Sequence, residues 1–124
     1  MKSCLRLKLR PSDQLSAGIS VAILAGSRFE PKEKQGISHL LEHLITEENT
    51  RYATRLELAR ALDKLTTDFS FQTHRELMTF SFETRRSSVI PCLDLVANII
   101  LKPRFRRDVL HRELRRVEEE DRLD

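Results

Sequence analysis

The amino-acid sequence predicts an α+β domain, an antiparallel-type sheet with helices packed on one face. Two short runs carry the sheet. Thr67, Phe69, Phe71 and Thr73 alternate with polar neighbours, and Met78, Phe80 and Phe82 do the same, with His74-Arg75-Glu76 between them. That period of two, broken by a short polar stretch, is the pattern of an antiparallel pair. Elsewhere the apolar spacing switches to helical intervals, as at Leu58, Leu62 and Leu65. The resulting order is strand, strand, helix, helix, strand, strand, helix, helix, a grouping that belongs to the α+β class.

The elements follow in turn. Leu5, Leu7 and Leu9 alternate with Arg6 and Lys8 and read as a first strand, which Pro11-Ser12-Asp13 breaks. Gly18 to Ala25 reads as a second, more buried strand, closed by Gly26-Ser27-Arg28 and Pro31. A helix is expected from about Gln35 to Ile45. Thr54 and Glu57 have capping-box spacing, so the next helix runs from about Arg55 to Leu65. Beyond the strand pair, Ser88 can cap a helix whose first turn tolerates Pro91. Its buried stripe would be Val89, Leu93, Val96 and Ile100, and Pro103 would end it. A last helix begins near Arg107 and reaches the chain end.

Composition bounds the function classes. The chain has 124 residues, 40% apolar and 33% charged, ordinary for one globular domain. No stretch approaches the ~20 apolar residues of a membrane span, and the alternating N-terminus lacks the continuous apolar run of a signal peptide. Cys4 and Cys92 are too few for a disulfide framework and read as reduced thiols, which favours the cytoplasm. A net charge of +3 invites a nucleic-acid reading. From Arg104 to the chain end, however, arginines and acidic residues are equal in number, and a lone Phe105 among the arginines makes no stacking platform. A solvated, salt-bridged helix accounts for that segment better than a phosphate-binding patch.

The most informative stretch is Gly36-Ile37-Ser38-His39-Leu40-Leu41-Glu42-His43-Leu44. At ~100° per residue, His39 and His43 lie within about 40° of each other, and Glu42 falls about 60° to the other side of His39. Ile37, Leu40, Leu41, Leu44 and Ile45 occupy the opposite arc. Two imidazoles one turn apart can share one Zn²⁺, and a carboxylate one position before the second histidine can reach the metal's water. The alternative is a solvated face carrying two surface histidines. Catalytic zinc needs a third protein ligand, and the last helix offers Glu118, Glu119 and Glu120. If Leu110, Leu114 and Val117 form its apolar stripe, Glu120 and Glu113 share one rim, Glu118 sits on the other, and Glu119 points away from the core. Geometry favours Glu120 over Glu119 and leaves Glu118 open. Glu113 is equally suited to a salt bridge with Arg112 or Arg116. Carboxylates also oppose the dipole at a helix end, so either the helix continues or a cation compensates.

Taken together, these stretches resemble the insulinase, pitrilysin and mitochondrial processing peptidase family. Ala25-Gly26-Ser27-Arg28-Phe29-Glu30-Pro31 is similar to its loop before the motif, Gly36 to His43 to the motif itself, and Lys102-Pro103-Arg104-Phe105 to its Pro-x-Phe. Glu120 stands at the separation from His43 at which the family carries its third ligand, and Glu113 matches a second family glutamate two turns earlier. The resemblance implies a zinc metalloendopeptidase with one Zn²⁺ per chain on His39, His43 and Glu120. Glu42 would be the general base for the zinc-bound water, and Glu113 would orient a ligand or a neighbouring helix. It also implies an extended peptide beside the Thr66 to Thr73 strand, at Ser70, Phe71 and Thr73. The chain departs from the pattern at Lys64-Leu65-Thr66-Thr67 and Ser70-Phe71, where the family has a Gly-Gly bend and an Asn-Ala pair, and at Thr46-Glu47-Glu48, where it has small residues. Residues 1–124 would form a single truncated lobe of the pitrilysin/processing-peptidase fold. Its expected partners are a peptide substrate and a second peptidase-like subunit or a second copy, with no nucleic acid and no membrane. The competing role is that of a non-catalytic subunit that binds peptide or scaffolds an active partner.

Overall fold

A computed structural model describes residues 6–123. The elements are β1 (Ser16–Ile23), α1 (Ile37–Ile45), α2 (Arg55–Leu65), β2 (Asp68–Thr73), β3 (Met78–Arg85), α3 (Val89–Leu101) and α4 (Arg107–Asp121), with short 3₁₀ turns at Ser27–Phe29, Lys32–Lys34 and Arg86–Ser88. The three strands form an antiparallel sheet in the order β1-β3-β2. Its register stacks the apolar positions, pairing Ile19 with Phe82, Val21 with Phe80 and Ile23 with Met78, and Phe71 with Phe80 on the other side.

Strand alternation then makes one face apolar. Met78, Phe80 and Phe82 are buried against Leu58 and Leu62 of α2 and Cys92, Leu95, Val96 and Ile99 of α3. Phe80 is fully enclosed, and its truncation to Ala would cost about 3–5 kcal/mol. The opposite face carries small polar side chains, with Ser20 and Ser81 hydrogen-bonded across it at 3.2 Å. The helices therefore lie on one face, as expected. At the end of α2, the Thr84 hydroxyl donates to the carbonyl of Leu65 at 2.6 Å. At its start, Thr54 accepts from the Glu57 amide at 3.2 Å, while the Glu57 carboxylate reaches back one residue further, to the amide of Ala53.

Several expectations change. Leu5 lies outside the described residues, and residues 6–10 form no strand; Leu7 and Leu9 are exposed. Alternation alone makes no strand without a sheet edge to pair with, and these residues dock on none. The strand expected at Gly18 to Ala25 starts earlier, at Ser16, and is half-exposed, since only its Ile19, Val21 and Ile23 face reaches the core. Ser88 occupies the N-cap position of α3 with no side-chain cap bond. The buried stripe of α3 is Cys92, Leu95, Val96 and Ile99, leaving Leu93 exposed. Apolar residues surround most of that helix, so their spacing did not fix its direction. On α4 the buried stripe is Val109, Glu113 and Val117, and Leu114 is exposed. The helix turns its carboxylate inward because cationic partners wait there.

Candidate metal centre

α1 is held at its start by a residue from outside it. Gly36, at φ +87°, takes the left-handed conformation that glycine tolerates best. The carboxylate of Glu30 then accepts the amides of Gly36 and Ser38 at 2.8 Å each. Burial raises the Glu30 pKa, but these amide bonds outweigh it and hold the carboxyl below its ordinary value. The preceding loop is pinned to the β2–β3 turn. Arg28 pairs with Glu76, its amide donates to the Arg75 carbonyl at 2.8 Å, and a Cβ on Gly26 would stand 2.5 Å from the carbonyl oxygens of His74 and Arg75.

α1 packs on α4, which brings His39, His43 and Glu120 together as a group able to hold a metal ion. The two Nε2 atoms are 3.2 Å apart, and Oε2 of Glu120 lies 3.5 Å from each. Three donors at about 2.0–2.1 Å from a tetrahedral ion would stand about 3.3–3.4 Å from one another. The donor triangle therefore already has the dimensions and the N,N,O chemistry that Zn²⁺ takes.

The second nitrogen of His43 sets its tautomer. Nδ1 lies 3.2 Å from Oε2 of Glu113, so it donates there and leaves the Nε2 lone pair free. Glu113 is fully buried. Arg112 Nε donates to its Oε1 at 2.9 Å and Arg116 to its Oε2 at 3.3 Å. Burial raises the Glu113 pKa, yet the bonds from Arg112 and His43 and the arginine charges keep it below the ordinary carboxylate value. The salt bridges and the contact to the histidine thus coexist. Near His39, Oδ1 of Asp121 lies 3.8 Å from Nδ1.

Glu42 lies beside this group and accepts a hydrogen bond from the Thr73 hydroxyl on β2. His39, Glu42, Phe71 and Thr73 line an open groove of about 820 Å³ that runs past β2, an edge strand of the sheet. Ser70 is not among them. It sits opposite Ser81 on the polar face and lines a smaller depression there, of about 500 Å³. Glu118 and Glu119 are exposed, and Glu118 borders the outer seam between α1 and α4 beside Ile37 and Leu114.

No structural role for Glu30, Glu47, Glu48 or Asp121 was legible in the sequence. Glu30 could have been flagged as an acid upstream of a helix start. Glu47 and Glu48 are buried just beyond the C-terminus of α1, where carboxylates oppose the dipole and demand cations. Asp121 had no separate signal beyond its place in the acidic run.

Comparison with known proteins follows the same lines. The model of the insulinase family, peptidase family M16, matches residues 8–123. A probable mitochondrial-processing peptidase subunit beta of Arabidopsis thaliana is 34% identical over 110 residues, 83% of this chain and 20% of the relative. Subunit 2 of the mitochondrial cytochrome b-c1 complex of Mus musculus is 30% identical over 89 residues, 72% of this chain and 19% of the relative. The crystal structure of a protease from Helicobacter pylori superposes with a TM-score of 0.82 at 23% identity, covering 89% of this chain and 26% of that one; it shows the fold. The chain thus spans about a fifth of the length of these two relatives.

Proposed function

Because this chain belongs to the insulinase family of peptidases, M16, we propose that it is a zinc metalloendopeptidase whose ligands are His39, His43 and Glu120. The observation that supports this reading most is the donor triangle, with edges of 3.2, 3.5 and 3.5 Å. A bound zinc ion would supply Lewis acidity towards a peptide carbonyl and acidify a water molecule. Glu42 takes the proton of the attacking water and returns it to the leaving amine. Its Oε2 is engaged by Thr73, so Oε1 is the atom left to carry that proton. Glu113 holds His43 with Nε2 free. A substrate peptide lies extended along the open edge of β2, adding its main-chain hydrogen bonds to the sheet, with Phe71 and Thr73 beside it; Ser70 faces away and is given no side-chain contact.

The relative named as a peptidase subunit beta supports a further part of the proposal, that activity rises when a second peptidase-like chain joins this one. The relative named as a cytochrome b-c1 subunit supports a second reading, a subunit that binds or scaffolds without hydrolysis. Among the described residues no helix is long and apolar enough to cross a membrane. The cytoplasmic expectation meets two relatives with mitochondrial names, and compartment plays no part in the proposed chemistry. The test is zinc stoichiometry together with peptide hydrolysis, alone and with candidate partner chains. Glu42→Gln should keep about one zinc per chain and lose hydrolysis, whereas His39→Ala and His43→Ala should lose zinc. Zinc binding with no hydrolysis under any pairing would favour the second reading.

A further inference from the structure

Glu47 has no part in the chemistry just described, yet its side chain is nearly as buried as that of Glu113. It follows α1 and sits between two arginines from different helices. Arg112 of α4 donates through Nη2 to its Oε2 at 2.6 Å, and Arg55 of α2 approaches Oε1 at 3.2 Å. The same Arg112 uses Nε to hold Glu113 at 2.9 Å. One half-exposed guanidinium therefore bridges two buried carboxylates, and one of those carboxylates orients His43. Arg55, in the first turn of α2, is disfavoured by the helix dipole; Glu47 offsets that charge.

We propose that Glu47 is a positioning residue of the metal centre. It fixes the plane of the Arg112 fork, the fork fixes Glu113, and Glu113 fixes the ring of His43. The inference rests on the zinc reading above and adds a remote determinant of metal affinity. An arginine suits the task because its rigid, planar donors can face two carboxylates at once, whereas a lysine ammonium is a single point charge. Glu48 provides the contrast. It is equally buried, lies 3.5 Å from Arg106, and touches neither Arg112 nor Glu113 in any hydrogen bond or ion pair among the described residues.

The experiment titrates zinc into the metal-free full chain against a chromophoric chelator, with thermal unfolding of each metal-free protein measured in parallel. Glu47→Gln should weaken zinc binding about tenfold, the low end of what outer contacts to metal ligands contribute, and Arg112→Lys should do likewise. The double variant should lose no more than the weaker-binding single, because both break one path. Glu48→Gln should lower the unfolding temperature but leave zinc affinity within about twofold. Wild-type affinity in Glu47→Gln, or an equal loss in Glu48→Gln, would overturn the inference and leave the zinc reading intact. A wild-type chain that binds no zinc would remove both. Should Glu47→Gln fail to fold, Glu47→Asp decides, because it keeps the charge but withdraws the carboxylate from Arg112: weakened zinc binding in a folded variant supports the path, and unchanged binding overturns it.

Discussion

The hydroxyl of Thr73 donates a hydrogen bond to Oε2 of Glu42, joining the edge strand of the sheet to the helix that carries both histidines. One strand residue thus lines the groove and holds the carboxylate beside the proposed metal site.

Removing that hydroxyl should separate aim from metal binding. A hydrogen bond to a charged group is worth about 1.5–3 kcal/mol, so Thr73→Val should lower kcat about tenfold or more at unchanged zinc stoichiometry. Thr73→Ser, which keeps the donor, should recover most of the rate. Steady-state hydrolysis of a peptide by the zinc-loaded protein, with its partner where one is required, checks it. An unimpaired Val variant would show that Glu42 needs no such guide.

The three consecutive glutamates of α4 should behave differently. Glu120 faces both histidines, Glu118 borders the outer seam, and Glu119 is exposed. Glu120→Gln should weaken zinc binding more than the ~100-fold upper range of outer contacts, and the Gln variants at 118 and 119 should stay close to wild type. Competition titration of the four proteins reads this directly, and a dominant loss at Glu119 would mean the helix is rotated.

Gly26 should tolerate no side chain. The His74 and Arg75 carbonyl oxygens, 2.5 Å from where a Cβ would stand, are backbone atoms that cannot swing aside. Gly26→Ala should cost about 1–3 kcal/mol, the usual range for overpacking, seen as a lower urea midpoint. An unchanged midpoint would mean that the loop and the hairpin turn part freely.

The helices were legible where a local signal was unambiguous. Thr54 and Glu57 marked the start of α2 and Pro103 the end of α3, and the spacing of His39, Glu42 and His43 needed only the helical repeat. Which way a helix turns its buried face was not legible when the rule was that charge stays outside. α4 broke that rule at Glu113, whose burial depends on Arg112, Arg116 and His43 from two elements. The side-chain direction of Ser70 followed from strand alternation once Phe71 was seen to face the core. The resemblance implies an extended peptide beside Ser70, Phe71 and Thr73, and the pleat turns the Ser70 side chain to the face opposite Phe71 and Thr73. Leu7 and Leu9 failed for the opposite reason, since their alternation is clear and nothing pairs with it.

The antiparallel hairpin of β2 and β3 closes through a short turn, with the His74 amide on the Leu77 carbonyl at 2.7 Å, and such local loops form in about microseconds. The seam between α1 and α4 joins residues as far apart as His43 and Glu113, 70 positions in sequence, and closing so long a loop is entropically slower. The proposed ligand triangle therefore depends on a long-range docking that the hairpin does not need. On the proposed reading, a chain whose α1–α4 seam is still open offers zinc one helix bearing two imidazoles and no carboxylate to finish the set. Metal uptake in a refolding experiment would then lag the recovery of helical signal and report the docking of α4 on α1.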